Sequence, residues 1–180
     1  VRINVENAVA AMAIAHLNGV TVEELRSGIA SFKGSHRRFE KVLDTERVVL
    51  IDDYAHHPVE LDAAIRSVRE IYSGKHIMGI FQPHLYSRTA DFYQDFAKSL
   101  SMLDQVVLLD IYPARELPLP GVTSRLILDL IENPNKTLVS KNDLLDYLHG
   151  NEIPDVVLIL GAGDIDRLVI PVKQYLQTLC

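Results

Sequence analysis

Between Asp52 and Pro58 the chain reads Asp-Asp-Tyr-Ala-His-His-Pro, which sets two carboxylates, a phenol and two imidazoles within seven residues. Imidazoles change charge near neutral pH and can take a proton from an amine or a hydroxyl, and carboxylates accept N–H groups or hold cations. Gln82-Pro83-His84-Leu85-Tyr86-Ser87-Arg88 adds another imidazole and a guanidinium. A guanidinium grips a carboxylate or phosphate through two parallel N–H bonds. Arg88 falls where a helix should begin, and a cation is unwelcome at that end of the macrodipole. A ligand therefore explains it better than a solvated face does. Asp110 and Glu116 flank Arg115 and have two readings, as its ion-pair partners or as acids of a site. Gly161-Ala162-Gly163-Asp164 lacks the third glycine of a dinucleotide fingerprint and reads as a tight turn, where backbone approaches a ligand or a neighbouring loop.

These residues matter only if the fold collects them. Residues 47–53 form a β-branched, apolar run of strand length ahead of the first cluster. Behind it, Leu61, Ile65, Val68 and Tyr72 recur at helical spacing, with Pro58 at the first helical position, where a missing N–H costs nothing. Strands are predicted over 76–81, 106–111, 136–139 and 156–160, and helices over 58–72, 87–100, 123–131, 143–148 and 166–179. Alternating strands and helices imply parallel pairing with right-handed crossovers. Phe39 to Leu43 lies so close to the 47–53 strand that the two should form a hairpin, giving one antiparallel edge strand. The predicted class is α/β, with a mostly parallel sheet of about six strands. In such a sheet the loops after successive strands open on one edge, where ligands bind, so His56, His84 and Arg88 become neighbours.

Two helices precede this unit. Residues 4–17 are rich in alanine, a strong helix former, with Asn4 placed to cap them, and so much alanine suggests close packing. Thr21 with Glu24 has capping-box spacing for a helix to about Phe32, with Val22, Leu25 and Ile29 as its apolar face. A boundary near Gly34 would separate a helical appendage (1–33) from a compact α/β unit (34–180). The chain has 180 residues, 48% of them hydrophobic, enough for a full core without disulfide or metal. Its net charge of −6 argues against a general nucleic-acid binder. The lone cysteine, Cys180, excludes an internal disulfide and suits a reducing compartment. Val156 to Leu160, among the longest apolar runs, is far too short to span a bilayer. No P-loop and no nucleophile elbow is present. The sequence opens without methionine or signal peptide and is read as a piece of something longer. One competing reading is a metal-dependent phosphohydrolase, with Asp52, Asp53, His56, His57 and His84 as ligands and Asp110 or Asp164 completing the set. Another is a non-catalytic small-molecule binding module.

Asn4-x-x-Asn7-x-x-Ala10-Ala11, Arg37-Arg38-Phe39-Glu40, Asp52 to Pro58, Phe81-Gln-Pro-His-x-Tyr-Ser-Arg88 and Gly161-Ala-Gly-Asp-Ile165 occur in the order found in the Mur ligases, which the whole chain resembles. The Asp52 and Phe81 motifs most resemble those of the member that adds L-alanine to UDP-N-acetylmuramate in peptidoglycan synthesis. The resemblance implies a Rossmann-like, three-layer C-terminal domain, preceded by two helices from the end of the ATPase central domain. It implies a cytoplasmic bacterial enzyme in which ATP phosphorylates the muramate carboxylate and the amine of L-alanine attacks the acyl phosphate. ATP and Mg2+ would be held mainly by the central domain, which carries the P-loop, so this chain alone would be inactive. By the same resemblance, Asn4 and Asn7 lie near the adenine, Arg38 reaches the γ-phosphate and Asp53 contacts the nucleotide. Tyr54, His56, His84 and Arg88 form the alanine pocket, with Arg88 on the carboxylate and one of the two histidines assisting loss of the amine proton. No metal ligand in this chain and no nucleic-acid or membrane partner is implied. Ile3 stands where many relatives have histidine. Leu85 stands where some have arginine, which leaves Arg88 more of the carboxylate's charge. The murein-tripeptide-recycling ligase shares the Asp-Asp-x-Ala-His-His-Pro stretch and is the alternative within the family, against which Tyr54 and the Phe81–Arg88 motif argue.

Overall fold

The computed structural model describes residues 2–180, with side chains from Asn4 onward, so the side chain of Ile3 lies outside the described residues. The chain forms two compact units, one ending at His36 and the other running from Arg37 to Cys180.

In the first unit α1 spans Arg2–Leu17 and α2 spans Val22–Ser31. Gly19, at φ +92°, ends α1 in the left-handed conformation that glycine adopts without strain. The Thr21 N–H donates to the Glu24 carboxylate at 2.8 Å and the Glu24 N–H donates back to the Thr21 hydroxyl at 3.3 Å, the reciprocal cap that the spacing predicts. The tight packing expected of the alanine-rich helix is not found here. Val5, Val9, Ile14, Leu17, Val22, Ile29 and Phe32 are all exposed, and α2 buries no residue.

The second unit is a six-stranded sheet in the order β1-β2-β6-β3-β4-β5. Here β1 is Glu40–Asp44, β2 Val49–Asp53, β3 Ile77–Phe81, β4 Gln105–Leu108, β5 Lys136–Leu138 and β6 Val156–Leu160. Only β1, at the edge, is antiparallel to its neighbour. Helices α3 (Pro58–Ile71), α4 (Tyr86–Leu100) and α5 (Arg125–Leu130) pack on one face through Leu61, Ile65, Val68, Phe96, Leu100 and Ile127. Helices α6 (Leu144–His149) and α7 (Asp166–Gln177) cover the other through Leu144, Leu148, Val172 and Leu176. The central strands β3 and β6 are buried along their whole length, which is why their sequences are unbroken apolar runs rather than alternating ones. The predicted class holds: three layers, mostly parallel, with one antiparallel edge strand.

Register levels the strand ends. Asp53 and Phe81 both align with Leu160, and Phe81 aligns with Leu108. Where the predicted bounds shift, a side chain or loop is responsible. Strand β1 starts after Phe39 because that residue has φ +52° and its N–H goes to the Asp53 carboxylate at 2.8 Å instead of the ladder. Strand β4 stops at Leu108 instead of residue 111. Beyond it the Tyr112 N–H donates to the Pro83 carbonyl (2.8 Å) and the Leu85 N–H to the Tyr112 carbonyl (2.9 Å), so the chain stays beside the exit of β3 without extending the sheet. The sixth helix is preceded by a 3-10 turn, Lys141–Asp143, because the Ser140 hydroxyl caps the Asp143 N–H at 3.2 Å.

Candidate functional site

At the level carboxyl ends of β2 and β3 the two polar clusters meet. The rings of His56 and His84 lie 5.9 Å apart between centroids. Tyr54 sets its edge against His56 at 5.2 Å, and Tyr112 stacks on His84 at 5.6 Å. Arg88, the third residue of α4, sits one turn beyond His84 and brings Nη1 to 3.3 Å from His84 Nδ1. At the other end of the row the Arg38 guanidinium lies 5.5 Å from the Tyr54 ring centre. The alanine-pocket residues expected from sequence (Tyr54, His56, His84 and Arg88) are thus adjacent, and Arg38 continues the row.

The hydrogen bonds assign different tautomers to the two imidazoles. Arg88 has no acceptor and stays charged, so its approach requires a lone pair on His84 Nδ1 and leaves the proton on Nε2. His56 Nδ1 lies 2.9 Å from the Tyr54 carbonyl and must donate to it, which leaves the lone pair on Nε2 when the ring is neutral. Burial, then the charges of Arg88 and His56, hold the His84 pKa below 6.5, against a weaker opposing pull from Glu116. Neutral His84 is therefore the favoured form. Beneath His56, the Glu60 carboxylate accepts the N–H groups of His56 (3.0 Å) and His57 (3.1 Å) and caps α3. Burial opposes the ionisation of Glu60, but the His56 N–H and charge, the His57 N–H and Arg38 outweigh it, and its pKa lies below the ordinary value.

Other predicted residues take different places. Asp52 is 1% exposed and pairs with the buried Arg37 at 3.1 Å, while the Arg37 Nη2 donates to the Gly161 carbonyl. Arg37 thereby ties the entrance of β1 to the ends of β2 and β6. Asp53 accepts the N–H groups of Phe39 and Ala55, one on each oxygen and both at 2.8 Å, and shapes the turn. Burial raises its pKa, against those two bonds and Arg38. His57 turns away to pack on Phe92 at 4.8 Å. The metal-site alternative is not favoured by this geometry, since Asp52, Asp53 and His57 make their contacts in different directions. Among the described residues no group of three or more His, Cys, Asp or Glu is placed to hold a metal ion. Asn4 and Asn7 lie three residues apart on α1, both exposed, in the first unit.

The glycine turn after β6 meets a neighbouring loop. A Cβ on Gly163 would come within 2.6 Å of Gln82 Oε1 and 2.7 Å of Tyr112 Cβ, so a larger residue must push one of them aside. Gln82 spans from the Asp164 carboxylate (3.0 Å) to the Ile165 N–H (3.0 Å), and Asp164 also pairs with Lys141. A cavity of about 340 Å³ lies on this side, with Tyr112 as the wall it shares with the histidine row. The sequence assigned no role to Arg37, Glu60 or Tyr112. A glutamate three residues after His57, opening a helix, was the legible sign of a cap; Tyr112 had none, because its role depends on a loop far away in sequence. Glu116, left open as a partner of Arg115, bonds instead to Ser87.

Residues 37–163 match the family model described as Mur ligase, glutamate ligase domain. The chain is 98% identical over all 180 residues to a UDP-N-acetylmuramate–L-alanine ligase of Porphyromonas gingivalis and covers 40% of that protein. It is 60% identical over 176 residues, or 98% of the chain, to the ligase of the same name from Parabacteroides distasonis, of which it covers 38%. Among solved structures, the UDP-N-acetylmuramate-alanine ligase of Thermotoga maritima superposes with a TM-score of 0.77 at 29% identity, covering 97% of this chain and 38% of that one. A murein peptide ligase from Psychrobacter arcticus shares the fold, with a TM-score of 0.62 at 22% identity, covering 97% of this chain and 36% of that one. The chain thus spans about 40% of the length of these curated relatives. With the sheet, the row of rings and the matched residues in agreement, this chain belongs to the Mur ligase family.

Proposed function

We propose that this chain is the C-terminal, amino-acid-binding domain, with the last two helices of the central domain, of a bacterial cytoplasmic ligase that joins L-alanine to UDP-N-acetylmuramate at the expense of ATP. The observation that carries the proposal is the juxtaposition of Tyr54, His56, His84 and Arg88 on one rim. Arg88 supplies a fixed positive charge for the alanine carboxylate. His84 presents Nε2–H beside it as a second donor. His56 presents the Nε2 lone pair and accepts the proton that the alanine ammonium loses before its nitrogen attacks the acyl phosphate. When the C–N bond forms, phosphate leaves with the electrons of the C–O bond. Arg38 and Asp53 face the nucleotide on the side of Tyr54, and the solvent-exposed guanidinium of Arg38 suits a phosphate. Asn4 and Asn7 contact the adenine from α1. The apolar side chains exposed on α1 and α2 fit helices that belong to a larger central domain, which would also carry the P-loop and hold most of ATP and Mg2+, while a separate N-terminal domain would bind the UDP-sugar.

The experiment is steady-state kinetics of the full-length ligase carrying Arg88→Ala. Loss of a charge-assisted contact to the amino acid is expected to raise KM for L-alanine by about 10- to 100-fold, with KM for ATP little changed. Unaltered alanine kinetics would overturn the assignment. The murein-tripeptide alternative is favoured by no feature of the rim.

A further inference from the structure

Helix α4 carries Arg88 and is preceded by His84, yet it lacks a cap of its own. Its N-cap residue, Leu85, has φ +73° and no side chain able to accept a hydrogen bond. The cap comes from a loop 29 residues away. Glu116 Oε2 accepts the Ser87 N–H at 3.0 Å, and Oε1 accepts the Ser87 hydroxyl. The turn that delivers it is closed by the Glu116 N–H on the Pro113 carbonyl (2.9 Å), around Ala114 at φ +50°. The same loop pins the other side of His84, where Tyr112 stacks on the ring and exchanges backbone bonds with Pro83 and Leu85.

We infer that Glu116 is a positioning residue, a cap supplied from the loop after β4 that fixes the His84–Arg88 turn in its ligand-binding geometry. A carboxylate at this end suits the helix dipole, which the cationic Arg88 opposes. The Ser87 hydroxyl and N–H hold the Glu116 carboxyl below its ordinary pKa, so it stays ionised at neutral pH. The charged or titratable groups that act on His84 are Arg88 on α4, His56 from the β2–α3 loop and Glu116 itself, and only Glu116 favours protonation. Tyr112 adds its ring face. The link to amino-acid use rests on the function proposed above, whereas the cap does not.

The test uses the 180-residue chain, isotope-labelled, with Glu116→Gln and Glu116→Ala. In both variants the NMR titration midpoint of His84 is expected to fall, because the one opposing negative charge is gone. Amide exchange at Ser87 is expected to quicken about tenfold in the alanine variant and less in the glutamine variant, which keeps one acceptor. If the alanine variant fails to fold, both readouts are taken from the glutamine variant. A His84 midpoint unmoved by Glu116→Gln, or wild-type exchange at Ser87 in the variants that fold, overturns the inference. A residue that merely filled the loop would change neither. In the full-length ligase Glu116→Gln should then raise KM for L-alanine more than it lowers kcat. Unchanged KM with both NMR effects present would leave the cap standing and count against the amino-acid reading of the rim.

Discussion

Arg88 Nη1 faces His84 Nδ1 at 3.3 Å, so a permanent cation decides which nitrogen of a neighbouring imidazole carries the proton. Neutral His84 should therefore give a 15N spectrum with a proton-bearing Nε2 and a bare Nδ1. His56, donating from Nδ1 to the Tyr54 carbonyl, should give the reverse pattern. Arg88→Lys keeps the charge but loses the planar fork, and is expected to recover only part of the alanine affinity that Arg88→Ala loses.

The depressed pKa of His84 has a consequence for stability. The unfolded imidazole protonates around 6.5 and the folded one only at lower pH, so between the two values the unfolded chain binds more protons. The contribution of His84 is complete above 6.5 and is lost as pH falls through the folded pKa. Urea midpoints measured across this range should decline less toward low pH in His84→Gln than in the wild type.

On the function proposed above, substituting His56 should separate proton transfer from binding. In the full-length ligase His56→Gln is expected to lower kcat by about 10²-fold, a typical loss for a general base, with a smaller change in KM for alanine. An unchanged kcat would move the proton acceptor elsewhere.

The buried pair of Arg37 and Asp52 is structural. Arg37→Met removes the guanidinium that meets the Asp52 carboxylate and the Gly161 carbonyl, and is expected to cost about 3 to 5 kcal/mol, the usual penalty for breaking a buried pair. Chemical denaturation of the 180-residue chain measures it directly.

Gly163→Ala tests the wall of the site. Its Cβ would collide with Gln82 and Tyr112, so the chain should lose about 1 to 3 kcal/mol. The His84 ring signals should shift as Tyr112 is displaced.

Local patterns carried much of this protein. The capping box of Thr21 and Glu24, Pro58 opening α3, the unbroken apolar strands β3 and β6 and the alternation of strand with helix are all short-range signals, and each reappears in the structure. They also imply the shared rim, because parallel strands deliver their following loops to one edge. That is why His56, His84 and Arg88 were legible as neighbours from residue types and order. What the rim residues do was decided by tertiary structure. Asp52 and His57 have the same chemical promise as His56, but Arg37 and the Phe92 ring claim them. Tyr112 and Glu116 gained their places from a loop whose bonds to Pro83, Leu85 and Ser87 no local spacing encodes. Sequence sets which side chains reach the edge. Only packing and hydrogen bonds between distant loops determine which of them remain available for chemistry.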